Sequence, residues 1–224
     1  MNGENQTFVF TLNDTLYNAS LQKSQARLAA VEAMIENGLT VDVETAYSSL
    51  EQVVKKSGGD APNHFNLLLA ELGFKDDHRI VAAGVVAYRE VSKAALRPYP
   101  YVHSTLISLR EKHCRLILLT AGDPVKEWQK LIQLGLQHLF HEVHVTRHPS
   151  IDTEVISELV NRKVVDAKSS FVSGKSDEVD EAVNAGLRAF LFLPKTLGAK
   201  NSPPQTQGFR ILNRMSDLLK AQNG

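Results

Sequence analysis

Short polar runs that follow apolar segments hold the residues capable of chemistry: Thr11-Leu12-Asn13-Asp14-Thr15, Thr120-Ala121-Gly122-Asp123, Thr146 to Ser150, and Ser173 to Asp180. Thr11 could attack an electrophile, but a hydroxyl at neutral pH needs an adjacent base, and the sequence shows none beside it. Asn13 exchanges no proton usefully. A hydroxyl at Thr120 could donate to a phosphate oxygen, and the planar fork of Arg147 could hold one.

Two other groupings invite a metal or redox reading. His138, His141, His144 and His148 fall within eleven residues. His141 and His144 would point to opposite faces of one extended run, and no Cys or carboxylate completes a zinc spacing, so no metal site is expected there. The single cysteine, Cys114, precedes the apolar run Leu116 to Leu119 and reads as a reduced core thiol.

The elements that must position these residues follow from periodicity. Phe8-Val9-Phe10-Thr11-Leu12 is a short strand rich in aromatic and β-branched residues, ended by Asn13-Asp14. From about Leu16 to Leu96 the spacing is helical, with a start signal at Thr40 or Asp42, a stop at Gly58-Gly59, an opening at Asp60-Ala61-Pro62 and a stop at Gly73. About four helices are expected there, and Pro98-Tyr99-Pro100 marks their exit. Beyond it, strands predicted at 115–120, 142–146, 170–173 and 188–193 alternate with helices at 102–112, 124–134, 153–161 and 177–185. Alternation of that kind implies a parallel sheet with crossover helices, whose ligand crevice lies outside the carboxyl ends of the strands. The stretch 198–208 reads as a loop and 212–219 as a closing helix.

Composition narrows the partners. The 224 residues are 43% hydrophobic, and 25 acidic residues balance 25 basic ones. No clustered basic surface is implied, so nucleic acid is not an expected partner. The opening MNGENQTFVF has no cationic side chain and only a short apolar stretch, and no run approaches the roughly 20 apolar residues of a membrane span. No membrane association is expected, and the cytoplasm is the expected compartment.

The segment Phe10-Thr11-Leu12-Asn13-Asp14-Thr15 resembles the first motif, DxDx[TV], of the haloacid dehalogenase-like (HAD) superfamily. Leu118-Leu119-Thr120-Ala121-Gly122 is similar to the second motif, and Ala182-Val183-Asn184-Ala185-Gly186 to the helix end after the fourth. Pro124 to Leu131 and Asn63-His64-Phe65 look like the archaeal-type branch of subfamily I phosphatases. The resemblance implies an α/β, Rossmann-type parallel sheet core over 1–15 and 98–224, helices on both faces, and an all-helical C1 cap over 16–97. It also implies an aspartyl-phosphate route and Mg²⁺ held by carboxylates.

The family's nucleophile and acid–base aspartates fall at Thr11 and Asn13. Asp14 stands at the variable position between Asn13 and Thr15. Ungapped spacing back from Gly186 puts Ser173 and Glu178 at the acids of the fourth motif, and Arg147 is the cation nearest the third. Three replacements at one centre lead to the expectation of a pseudoenzyme: a HAD-fold protein without phosphatase activity, with no intact catalytic residue and no metal or cofactor. It would bind a protein partner or a small phosphorylated ligand, the latter at a metal-free anion site of Thr11, Asn13, Asp14, Thr120, Ala121, Gly122 and Arg147 with the backbone N–H groups after the first strand, with a homodimer allowed. The alternative is a Mg²⁺-dependent phosphatase of small phosphate monoesters with an unrecognised nucleophile.

Overall fold

The computed structural model describes residues 6–59, 61–194 and 208–221. The chain divides into two compact units, residues 1–18 with 97–224, and residues 19–96.

The first unit is built on a six-stranded sheet of β1 (Thr7–Thr11), β2 (Arg115–Ala121), β3 (Glu142–Thr146), β4 (Ser170–Ser173), β5 (Arg188–Phe192) and β6 (Phe209–Leu212). The strand order is β3-β2-β1-β4-β5-β6 and every pairing is parallel. Parallel sheets are covered on both faces, which explains why the interiors of β1 and β2 read as continuous apolar runs. Val9 lies in one cluster with Ile117, Leu119, Phe171 and Leu191, packed against Ile156 and Leu159 of α7 (Thr153–Asn161) and Val179 of α8 (Ser176–Asn184). Phe8 and Phe10, one residue out of phase with Val9, stack on each other at 6.2 Å, and Phe140 meets Phe10 edge-on. Helices α5 (Val102–Glu111) and α6 (Pro124–Gln133) follow the same alternation, α6 opening on an Asp123 cap that accepts from the Lys126 N–H.

The second unit holds α1 (Ala19–Glu36), α2 (Val43–Ser57), α3 (His64–Glu71) and α4 (His78–Ala95). Its core is Val31, Met34, Leu39, Ala46, Leu50, Leu68, Leu69 and Ile80. Asp42 and Asp77 cap α2 and α4. The α3 opening placed at Asp60-Ala61-Pro62 moves to an Asn63 boundary, and Asp60 lies outside the described residues.

The C-terminal stretch departs from expectation. The loop placed at 198–208 falls almost wholly outside the described residues. The helix placed at 212–219 is instead the end of β6, a 3₁₀ turn (Met215–Asp217) and α9 (Leu218–Ala221). Leu212, Met215 and Leu218 are all buried, so the three-residue apolar spacing is real. A strand end followed by a 3₁₀ turn satisfies that spacing as well as a helix does. The four residues of an edge strand gave too short a pattern to oppose it.

The ring of Tyr99 packs edge-on against Phe192 at 5.3 Å, and burial, with the Asp14 charge adding to it, pushes its phenol up to about 12. A folded-state value above the ordinary 10.0 means that the native state holds this proton more tightly than the unfolded chain. The resulting stabilisation is whole below pH 10 and lost as pH rises toward 12. Thermal melts of Tyr99→Phe should therefore show a shallower fall in Tm across that window than the native chain.

Candidate active site

The parallel register aligns Phe10 with Val172, so Thr11 and Ser173 are the next residues up two adjacent strands. Their hydroxyls meet: Thr11 donates to Ser173 Oγ at 3.0 Å, and Ser173 donates to Glu178 Oε2 at 2.6 Å. Thr15 Oγ1 lies 2.6 Å from Thr11 Oγ1 and accepts from the Gly174 N–H at 2.8 Å. All four side chains are buried. Glu178 sits in the first turn of α8, where the helix dipole favours a carboxylate. Its second oxygen accepts from Lys175 Nζ at 2.8 Å. Burial pulls the Lys175 ammonium down, but the charge and hydrogen bond of Glu178, with Asp177 and Asp14 beyond, hold it above the usual lysine value.

A matching arrangement stands across β1, at the end of β2. The Thr120 hydroxyl donates to Glu127 Oε2 at 2.7 Å, and Lys130 Nζ donates to Glu127 Oε1 at 2.5 Å. Lys130 also lies 3.4 Å from Asn13 Oδ1, which accepts from the Tyr17 hydroxyl at 2.7 Å. Donors thus occupy the Asn13 oxygen, leaving its NH₂ as the donor edge.

Several candidates are placed differently from their sequence reading. The Thr120 proton is taken by Glu127, so Thr120 is no free donor to a phosphate. The Gly122 N–H is taken by the Thr146 carbonyl at 2.9 Å, and Ala121 is paired with Thr146 in the β2–β3 ladder. Arg147 is exposed beyond β3, and among the described residues no hydrogen bond or ion pair ties it to the Thr11 cluster. Thr11, Ser173 and Glu178 do come together, Asn13 lies instead with Tyr17 and Lys130, and Asp14 adds its charge near Lys175.

The carboxylate that the sequence did not show beside Thr11 is Glu178, reached through Ser173. Also missed were Tyr17, Glu127 and Lys130, and the contact of Thr15 with Thr11. The spacing of Glu127 to Lys130 and of Lys175 to Glu178, three residues on a helix, was a legible signal of paired charges. In the histidine run His141 Nδ1 accepts from the Leu116 N–H and His144 lies against Glu142, and among the described residues no group of three His, Cys, Asp or Glu could hold an ion.

Mg²⁺, which the resemblance implies, does not fit the residues present. The cation demands near-octahedral oxygen coordination with carboxylates in the set. Here the positions are Thr11 and Ser173, both hydroxyls engaged with each other, and Glu178, whose oxygens are taken by Ser173 and an ammonium.

A protein named glyceraldehyde 3-phosphate phosphatase from Methanopyrus kandleri is 39% identical to this chain over 186 residues, 81% of this chain and 79% of that protein. One of the same name from Pyrococcus abyssi is 32% identical over 216 residues, 94% of this chain and 91% of the other. Among solved structures, a haloacid dehalogenase-like family hydrolase from Xanthomonas campestris superposes with a TM-score of 0.71 at 17% identity, over 100% of this chain and 93% of that one. No protein-family model matches the chain. The expectation of a fold without phosphatase activity is overturned by these relatives, whose similarity spans four fifths or more of the chain and whose names carry the reaction. With a parallel sheet of the same architecture and relatives at this identity, the chain belongs to the haloacid dehalogenase-like superfamily.

Proposed function

We propose that the chain hydrolyses a small phosphate monoester of the glyceraldehyde 3-phosphate class, with the Thr11 hydroxyl as the group that attacks phosphorus. The relatives' names support the reaction and the substrate class. The observation that carries the residue assignment is the directed chain from Thr11 through Ser173 to the buried Glu178 carboxylate. A hydroxyl joined to a base in this way has the one thing that the sequence alone withheld from it.

In the first step Thr11 Oγ1 bonds to phosphorus as the bond from phosphorus to the substrate's ester oxygen breaks. The Thr11 proton passes to Ser173 while the Ser173 proton passes to Glu178. The leaving oxygen takes a proton from Lys130, which stands beside Asn13 where the family places its acid–base. Water then attacks phosphorus and returns a proton to Lys130, and the Thr11 oxygen departs, recovering its own proton along the same chain in reverse. Because Thr11 is buried, attack requires the turn from Leu12 to Thr15 to give way.

The sequence holds a single cysteine, the buried Cys114, so the chain has no internal disulfide, which supports a reducing compartment such as the cytoplasm for this activity. Release of inorganic phosphate from glyceraldehyde 3-phosphate and from a generic aryl phosphate by the purified protein tests the reading. Turnover of the triose phosphate is expected; no release from either ester after repurification would refute it.

A further inference from the structure

We propose that Lys130 and Lys175 supply, as tethered ammonium groups, the positive charge that a divalent cation would otherwise bring, so that the site takes a phosphate dianion without a metal. Three observations converge on this. First, the two pairs are arranged alike on either side of β1. Each consists of a strand-end hydroxyl, a glutamate on the helix that follows, and a lysine three residues from that glutamate. Second, in each pair the carboxylate is enclosed and the ammonium is open. The side chains of Glu127 and Glu178 are each 5% exposed, against 26% for Lys130 and 41% for Lys175. An anion arriving from solvent meets the lysines first, with the carboxylates beneath them holding them in place. Third, the donor set left to a dication contains no free carboxylate at Thr11, Ser173 or Glu178.

An ammonium is a compact point charge with three donors, suited to a phosphate oxygen that lacks fixed geometry. Holding two of them on rigid helices lowers the ordering cost that flexible lysines normally carry. The same arrangement blocks the metal: to reach Glu178, Mg²⁺ would have to displace Lys175 from a half-buried ion pair.

The inference rests on the phosphatase reading for its substrate class but is measured by binding alone. Calorimetric titration of the native chain with MgCl₂ should give no saturable heat to millimolar concentration. Titration with inorganic phosphate should saturate in the millimolar range, equally with and without a chelator. Lys130→Met and Lys175→Met should each weaken phosphate about tenfold, the usual scale for one charge-assisted hydrogen bond. Ser173→Asp combined with Lys175→Met should acquire Mg²⁺ affinity; if that variant does not fold, the titrations of the native chain decide. Saturable Mg²⁺ binding by the native chain, phosphate affinity that requires Mg²⁺, or phosphate affinity unchanged in both methionine variants would overturn the proposal. Metal-free phosphate binding without turnover would leave it standing while the hydrolase reading fell, and Mg²⁺-dependent turnover would do the reverse.

Discussion

Gly174→Ala should unfold the reaction centre at moderate temperature. A Cβ built on Gly174 would sit 1.9 Å from the Asp14 carbonyl oxygen and 2.7 Å from its carbon, both backbone atoms that cannot swing aside. Asp14 is itself fixed in the left-handed region at φ 59°, which turns that carbonyl onto Gly174. The turn after β1 and the turn after β4 would have to separate. Overpacking of this kind costs about 3 kcal/mol, which for a chain of this size lowers Tm by about 6–12 °C. The Gly174 N–H also donates to Thr15 Oγ1, so separation pulls on the hydroxyl that positions Thr11. Calorimetry beside Gly59→Ala supplies the comparison, since a Cβ at Gly59 meets nothing within 4 Å. Equal melting of the two variants would remove the Asp14–Gly174 contact from the account.

Thr11→Ala and Glu178→Gln should each lower kcat for the triose phosphate by on the order of 10²–10⁴-fold, the range that positioned proton transfer supplies. The combined variant should be scarcely slower than either alone, because residues of one relay act as a unit. Thr11→Ser, which keeps the hydroxyl, should retain much of the rate. Independent, multiplying losses would show that Glu178 acts through folding or charge and not through Thr11. A fully active Thr11→Ala variant would place the nucleophile elsewhere.

Legibility in the sequence was uneven for physical reasons. β1 and β2 are central strands of a parallel sheet, so their buried runs announced themselves, and of the two start signals for α2, Thr40 and Asp42, the structure uses Asp42. The closing segment was misread because Leu212, Met215 and Leu218 satisfy two backbone paths. At the site, Thr11, Asn13, Ser173 and Glu178 could be placed by spacing from motif ends. What spacing cannot convey is direction across strands. Thr120 and Ser173 occupy equivalent strand ends, and nothing in their sequence neighbourhoods told that each hydroxyl turns onto a glutamate of the following helix. The inference that three lost carboxylates end the chemistry is overturned by the relatives; it counted residues along the chain and left out the Glu178 carboxylate, which meets Thr11 through Ser173 on another strand.

The most direct measurement is the initial rate of phosphate release from glyceraldehyde 3-phosphate by metal-stripped protein held in excess chelator, with Thr11→Ala from the same preparation beside it. Undiminished release by the native chain and loss of it in Thr11→Ala is the predicted result. No release by the native chain, release that returns only with added Mg²⁺, or equal rates in the two proteins would contradict it.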